Sequence, residues 1–107
     1  MKEQERSLKL PMGSKAAGAK LHLHTWIPDS APKAIILLIH GYAEHAGRYR
    51  YFSAHCVSKG YAVFAVDHWG HGKSDGVPGF VPDFSVFHDG VDQLLAAAKH
   101  DYPGLPI

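Results

Sequence analysis

The stretch Ala34-Ile35-Ile36-Leu37-Leu38-Ile39, followed directly by His40-Gly41, decides the fold of this chain. It is apolar without alternation, which is typical of a strand covered on both faces in a parallel sheet. Tyr61–Val66 has the same character, and between the two strands residues 48–59 place Tyr49, Phe52, Cys56 and Val57 at helical spacing before Gly60. The succession of strand, helix and strand predicts a βαβ unit and hence an α/β protein.

The flanking residues predict further elements of the same kind. Lys20–Ile27 alternates between apolar and polar residues and predicts a strand with one apolar face, preceded by a turn over residues 13–18 and a weaker strand over residues 7–10. A second helix is expected to begin with Asp83 as N-cap and to contain Gly90 as a local weakness. Its apolar stripe comprises Phe87, Val91, Leu94, Leu95 and Ala98. Residues 105–107 then resemble the approach to another strand.

Composition excludes several classes of protein. The chain has 107 residues, 46% hydrophobic and 20% charged, with a formal net charge of +1, so disordered and fibrous classes are excluded. Without a basic run, we expect no nucleic-acid partner. The single cysteine, Cys56, excludes an internal disulfide framework and a thiolate zinc site, and its place on an apolar stripe indicates a small buried hydrophobe. Residues 1–6 lack the apolar stretch of a signal peptide, so we expect a cytoplasmic protein.

The segment after the first buried strand reads His40-Gly41-Tyr42-Ala43-Glu44-His45-Ala46-Gly47-Arg48-Tyr49. It places flexible backbone at the strand end where open α/β sheets bind ligands. This decapeptide resembles the oxyanion loop of monoacylglycerol lipases and related serine hydrolases of the α/β-hydrolase superfamily. Residues 67–76 are similar to that family's turn after the fourth strand, and residues 101–106 to its approach to the nucleophile strand.

The resemblance implies the N-terminal portion of an α/β-hydrolase fold, a mostly parallel sheet with flanking helices that is incomplete after Ile107. Residues 1–19 would form an N-terminal segment containing a first strand, and residues 20–107 the N-terminal part of the hydrolase domain. The implied activity is Ser-His-Asp hydrolysis of acyl glycerol or lysophospholipid esters. In that family all three groups follow later in the chain, so these residues alone are expected to be inactive and to need the remainder of the domain.

The same resemblance assigns the site. The backbone N–H of Tyr42 would donate to the oxyanion of the tetrahedral intermediate, and Gly41, Glu44 and Arg48 would contact the substrate. Tyr42 and Ala43 are larger than the residues common at these positions in the family. An equally favoured interpretation makes Glu44 and Arg48 a mutual pair that fixes the loop to the helix start. No cofactor or metal is implied, and a lipid substrate implies peripheral association with membranes.

Three other motifs lose their support on inspection. Gly72-Lys73-Ser74-Asp75-Gly76 matches G-x-S-x-G, but it lies several residues past its strand and no helix can start at once after it, so we expect the Ser74 hydroxyl to brace the loop. Asp67 stands where a P-loop requires its first glycine. The nine histidines include His22 with His24 on one strand face and His68 with His71 in one loop, without a zinc-protease motif. We expect them to be solvated or to brace loops.

A different class of function stays open at this point. The chain could act as a non-catalytic binding or interaction module, whereas a dinucleotide-binding half-domain is disfavoured because no G-x-G-x-x-G follows the first parallel strand. The module faces a physical objection. With no later strand beside it, Ala34–Ile39 would lie at a sheet edge, which is a template for association.

Overall fold

The computed structural model describes residues 1–107 as one four-stranded sheet between two helices. The strands are β1 (Lys2–Lys9), β2 (Lys20–Ile27), β3 (Ala34–Ile39) and β4 (Tyr61–Val66). The helices are α1 (Arg50–Ser58), preceded by a short 3₁₀ helix at Ala46–Tyr49, and α2 (Ser85–Asp101). Three predicted strands have the bounds that the sequence indicated, and the βαβ unit of β3, α1 and β4 is confirmed.

The strand order in the sheet is β1-β2-β4-β3. β3 and β4 pair in parallel over their full length, from Ala34 opposite Tyr61 to Ile39 opposite Val66. β2 runs antiparallel to both β1 and β4. β3 therefore lies at an edge, as expected, and its Ile35 N–H donates to the Pro106 carbonyl at 2.8 Å. The final residues of the chain thus lie beside β3.

The first strand is longer than predicted, since it covers Lys2–Lys9 rather than residues 7–10. Most of its side chains are exposed, so no apolar alternation marks it. It is held instead by backbone pairing along the whole of β2 and by cross-strand contacts between its glutamates and the histidines of β2. An edge strand of this kind needs no apolar face.

β2 is covered on both faces, and this corrects the expectation of one apolar face for this strand. Trp26, on the face shared with His22 and His24, is fully buried. Under α1 it packs in a cluster with Leu38, Ala46, Cys56, Val57, Val63 and Ala65. The opposite face packs under α2, in a cluster of Leu10, Leu21, Leu23, Ile35, Ala62, Phe64, Val66, Val86, Leu94 and Ala98.

The phase of α1 differs from the prediction. Ser53, Cys56 and Val57 face the sheet, whereas Phe52 is 51% exposed. The predicted stripe assumed one α-helix from residue 48, but the helix is entered through a 3₁₀ turn, which has three residues per turn and shifts the phase. Cys56 is buried as predicted, and burial raises the pKa of its thiol.

In α2, the buried residues are Val86, Gly90, Leu94 and Ala98. Leu94 and Ala98 belong to the predicted stripe, but in the first half of the helix the buried residues each precede the predicted ones, Phe87 and Val91, by one position. Gly90 is the point of close approach to the sheet, because a Cβ there would lie 3.0 Å from Leu21 Cδ1. The helix begins at Ser85 with Phe84 at the N-cap position, one residue after the predicted Asp83. The Asp83 carboxylate still accepts the Ser85 N–H at 2.9 Å, so it satisfies one backbone donor of the first turn from the residue before the cap. None of the helices combines the length and the apolar character that a membrane crossing requires.

Candidate active site

A cleft of about 430 Å³ opens where β3 and β4 end. Because the two strands are parallel, their carboxyl ends meet at one edge of the sheet, the usual position of ligand sites in α/β folds. Residues that follow β3 and β4 form one side of the cleft, and α2 with the residue before it forms the other. The lining residues are Ile39, His40, Tyr42, His68, His71, Phe84, Phe87, His88, Val91 and Asp92.

His40 fixes the peptide that joins Gly41 to Tyr42. The backbone N–H of His68 donates to His40 Nε2 at 3.0 Å, so the proton of the neutral ring is on Nδ1. That Nδ1–H donates to the Gly41 carbonyl at 2.7 Å, and the Glu44 N–H donates to the same oxygen at 3.2 Å. In a trans peptide the N–H points opposite to the carbonyl. The Tyr42 N–H is therefore directed away from His40, and it donates to no other group of the chain.

The loop that holds this peptide is itself constrained. Ala43 has a φ of +63°, in the left-handed region that residues with a Cβ rarely adopt. A conformation of this kind costs on the order of 1–3 kcal/mol and is found most often at functional sites. The Tyr42 hydroxyl also donates to the Gly79 carbonyl at 2.6 Å, which ties this loop to the glycine-rich loop after β4.

The imidazoles of His68 and His71 complete the floor of the cleft. His68 Nε2–H donates to the His40 carbonyl at 3.0 Å, and His71 Nδ1 bonds to the Trp69 carbonyl at 2.9 Å. This leaves His68 Nδ1 and His71 Nε2 buried without a partner in the chain. Burial, followed by the neighbouring His40, lowers the pKa of His68 from 6.5 to about 4, and burial also lowers the pKa of His40. The His40 and His68 rings are thus uncharged at neutral pH, and the unpartnered His68 Nδ1 is a hydrogen-bond acceptor.

Asp67 organises the glycine-rich loop from beneath. Its buried carboxylate accepts the Ala46 N–H at 2.7 Å and the Lys73 N–H at 3.0 Å. Gly72 has a φ of +50° and lies so close that a Cβ would collide with the carboxylate. The single Asp67 side chain therefore joins the start of the 3₁₀ helix to the loop after β4.

Ser74 braces this loop, as the sequence predicted. Its hydroxyl donates to the Asp67 carbonyl at 2.5 Å and accepts the His22 N–H at 2.8 Å. Both bonds connect backbone segments, and Ser74 is not among the residues that line the cleft. No imidazole bonds to its oxygen, so the arrangement of an activated serine nucleophile is not present there.

The predicted site residues lie in two groups. Tyr42 lines the cleft and Gly41 precedes it, while Glu44, later in the same loop, and Arg48, in the 3₁₀ helix that follows, lie outside the lining. The Glu44 carboxylate is hydrogen-bonded to the Tyr49 hydroxyl, which raises the pKa of Tyr49. The alternative prediction, an ion pair between Glu44 and Arg48, is wrong, because no ion pair joins these residues. Glu44 instead fixes the loop to the helix start through Tyr49.

The sequence did not place the apolar wall of the cleft. Phe87 and Val91 belonged to the predicted buried stripe of the second helix, but they are only half-buried and line the cleft together with the exposed Phe84. Apolar spacing was the available signal, and it does not distinguish a core contact from a cleft wall.

One group of possible metal ligands lies elsewhere. Atoms of Glu5, His22 and His24 that could bind an ion all lie within 4.8 Å of one another, on β1 and β2. Neither strand contributes a residue to the lining of the cleft. The chemistry of the cleft therefore rests on its own backbone and imidazole groups.

Comparison with known proteins identifies relatives of the whole βαβ region. A family model described as "Serine aminopeptidase, S33" matches residues 30–107. The chain is 39% identical over 89 residues to the monoacylglycerol lipase of Mycolicibacterium smegmatis, covering 83% of this chain and 32% of that protein. It is 42% identical over 98 residues to the monoglyceride lipase of Homo sapiens, covering 92% of this chain and 32% of that protein. The chain thus spans about a third of the length of these curated relatives.

A solved structure has the same arrangement of elements. A highly thermostable carboxyl esterase from Bacillus coagulans in complex with glycerol superposes with a TM-score of 0.82 at 25% identity, covering 99% of this chain and 34% of that chain. The chain matches the N-terminal portion of that fold. The α/β-hydrolase fold class indicated by the sequence is confirmed.

Proposed function

Because the chain belongs to the family described as "Serine aminopeptidase, S33" and is 39–42% identical to lipases of monoacylglycerols, we propose that it is the N-terminal part of a serine ester hydrolase. Its substrates in the complete enzyme are acyl esters of glycerol, with lysophospholipid esters in the same class. Both of these relatives, at 39% and 42% identity, are lipases, and this favours an ester of a lipid over a peptide.

The orientation of the Gly41–Tyr42 peptide carries this proposal. In α/β hydrolases one oxyanion donor is the N–H after the nucleophile, and the other comes from the loop that follows the third strand. The Tyr42 N–H occupies such a loop, directly after β3, and two hydrogen bonds to the Gly41 carbonyl direct it away from His40. A preoriented donor costs no reorganisation when the negative charge develops.

The proposed chemistry is acyl transfer. Attack of a serine oxygen on the ester carbonyl converts its oxygen to an oxyanion, to which the Tyr42 N–H donates a hydrogen bond. One such donor lowers the barrier by about 2.7–4 kcal/mol. The Ser74 hydroxyl is held between two backbone groups, so we propose that the nucleophile, acid and base come from sequence outside these 107 residues, which alone would be inactive.

We assign the polar end of the substrate to Gly41, Glu44 and Arg48. A Cβ at Gly41 would lie 3.2 Å from Glu44 Oε2, so the carboxylate lies against the bare backbone beside the proposed donor. The exposed Arg48 guanidinium forms no ion pair within the chain. Both groups can hydrogen-bond to glycerol hydroxyls, and glycerol is bound in the solved esterase.

The apolar wall of Phe84, Phe87 and Val91 suits the acyl chain. A substrate of this kind resides in membranes, and we propose peripheral association of a cytoplasmic enzyme with its lipid surface. No cofactor is required by this chemistry. The comparisons give no support to the alternative of a non-catalytic binding module.

The proposal is tested with a hybrid enzyme in which this chain replaces the matching N-terminal third of the human monoglyceride lipase. We expect the hybrid to hydrolyse a monoacylglycerol. Tyr42→Pro removes the N–H, and we expect it to lower kcat by about 10²–10³-fold. Tyr42→Phe and Tyr42→Ala keep the N–H and serve as matched controls, with kcat expected within a few-fold of the hybrid.

A hybrid that folds but cleaves no ester would contradict the assigned reaction. A Tyr42→Pro hybrid that retains full kcat would remove Tyr42 from the oxyanion site. Arg48→Gln separates binding of the polar end from chemistry, because we expect it to raise KM for a monoacylglycerol and to leave KM for a simple aryl ester unchanged.

A further inference from the structure

Two imidazoles and two carboxylates lie on one face of the β1–β2 pair. His22 Nε2 is 2.7 Å from Glu5 Oε1, and His24 Nε2 is 3.0 Å from Glu3 Oε1. The possible ligand atoms of Glu5, His22 and His24 all lie within 4.8 Å of one another. We propose that Glu5, His22 and His24 form a Zn²⁺ site, in which one carboxylate oxygen and two imidazole nitrogens bind the ion directly.

The donor set suits this metal. Zinc in proteins binds imidazole nitrogen and carboxylate oxygen at about 2.0–2.2 Å in tetrahedral geometry, which places neighbouring ligand atoms about 3.3 Å apart. His22 Nε2 and Glu5 Oε1 are 2.7 Å apart and no pair of ligand atoms is more than 4.8 Å apart, so the three groups are close enough for side-chain rotations to bring them toward one ion. Each neutral imidazole then keeps its proton on Nδ1, and Glu3 or a water fills the fourth position.

The strand register explains why the three residues converge. Glu5 is the direct cross-strand partner of His24, and alternate residues of β2 project from the same face, so His22 lies diagonally opposite Glu5. The sequence showed the two histidines on one face but could not supply the carboxylate, because the polar β1 was not recognised over these residues.

Both histidines are held by contacts that do not involve the carboxylates. The His24 ring is buried and stacks on Trp26 at 4.2 Å between centroids with an interplanar angle of 10°. The backbone of His22 is fixed by the Ser74 hydroxyl at 2.8 Å. The His24 ring and the His22 backbone are therefore held in place before metal binding, and the His22 ring and the Glu5 side chain adjust to the ion.

Without a metal, Glu5 is neutralised by a competitor. Lys73 Nζ lies 2.9 Å from Glu5 Oε1, the same oxygen that bonds to His22. The Lys73 side chain is 69% exposed, so it can move into solvent when an ion binds. Zn²⁺ and the Lys73 ammonium thus compete for one carboxylate. Replacing Lys73 should therefore strengthen Zn²⁺ binding, whereas replacing a ligand should weaken it.

The test uses the full 107-residue chain, freed of metal by dialysis against EDTA and titrated with Zn²⁺ in a calorimeter. We expect saturable one-to-one binding. His22→Gln and Glu5→Gln are each expected to weaken it by more than about tenfold, a loss at least as large as that caused by removing an outer partner of a metal ligand. Lys73→Met is expected to tighten it by about 3- to 10-fold, because it removes a like charge. Co²⁺ in place of Zn²⁺ should give the visible absorption of a tetrahedral site.

His55→Gln is the matched control, since His55 is exposed on α1 and remote in sequence from the cluster; we expect its affinity to equal that of the parent chain. Circular dichroism checks that each variant is folded. The proposal is overturned by lack of one-to-one binding, by His22→Gln or Glu5→Gln chains that bind as tightly as the parent, or by a Lys73→Met chain that binds no more tightly.

Discussion

His40 and His68 bond to each other in both directions. The His68 backbone N–H donates to His40 Nε2, and the His68 ring donates its Nε2–H to the His40 carbonyl, each at 3.0 Å. His40 directly follows β3, and His68 lies two residues after the end of β4. This reciprocal contact therefore joins the two loops that form the cleft. A proton on His40 Nε2 would point at the His68 backbone N–H and remove its acceptor. The arrangement therefore requires a neutral His40.

We therefore expect the free energy of unfolding to fall as the pH drops below about 6.5. Burial lowers the pKa of His68 from 6.5 to about 4 and lowers that of His40. Above pH 6.5 the His68 imidazole is neutral in both the folded and the unfolded chain, so its contribution to stability is fully present. Between that value and about 4 only the unfolded chain takes up the proton, so stability is lost, on the order of 3 kcal/mol for His68. Urea unfolding near neutral pH and at about pH 5 measures the difference.

The histidine responsible is identified by two variants in the same experiment. His68→Gln removes the buried imidazole and should flatten the pH dependence, whereas the exposed His55→Gln should leave it unchanged. Equal slopes for His68→Gln and the parent chain would exclude His68 as the source.

Replacement of Asp67 should destabilise the chain more than replacement of Asp75. In Asp67→Ala, the N–H groups of Ala46 and Lys73 lose a buried acceptor, and we expect a cost of about 2–5 kcal/mol. Asp75 accepts the Lys20 N–H from an exposed position, so Asp75→Ala should cost about 1 kcal/mol or less. Denaturant unfolding gives both values, and hydrogen exchange should accelerate at the Ala46 amide. Equal costs for the two variants would contradict the role of Asp67.

The sequence predicted the elements that burial alone determines. β3 and β4 are unbroken apolar runs, so their bounds follow from composition, and the strand end then locates the His40-Gly41 loop. β1 was underestimated because cross-strand polar contacts hold it, and these depend on the register of a partner that the sequence does not show.

The candidate site was only partly predictable for a similar reason. The Tyr42 loop was found through a linear motif, and its backbone geometry then came from His40, a neighbour in the chain. The cleft wall on α2 and the unpartnered nitrogens of His68 and His71 depend on how distant elements pack. Periodicity shows that Phe87 is on an apolar face, but it does not show what that face contacts.

Gly90→Ala should fail to stabilise α2, although glycine in a helix costs about 1 kcal/mol relative to alanine. The added Cβ would lie 3.0 Å from Cδ1 of the fully buried Leu21, which cannot move without disturbing the core. We expect a lower free energy of unfolding. Ala96→Gly at an exposed position of the same helix is the control and should cost about 1 kcal/mol. A gain of that size from Gly90→Ala would show that the core can accommodate the methyl group.

Ser74 should remain unmodified by a serine-directed fluorophosphonate probe. Its hydroxyl is held by the Asp67 carbonyl and the His22 N–H, and no imidazole is placed to remove its proton. Ser74→Ala should instead lower the free energy of unfolding by about 1–3 kcal/mol, because the His22 N–H loses its acceptor, whereas Ser30→Ala in the exposed loop before β3 should have little effect. Intact-mass and peptide mass spectrometry after incubation with the probe measure labelling. A covalent adduct on Ser74 would place the nucleophile in this loop and overturn the assignment of the catalytic serine to later sequence.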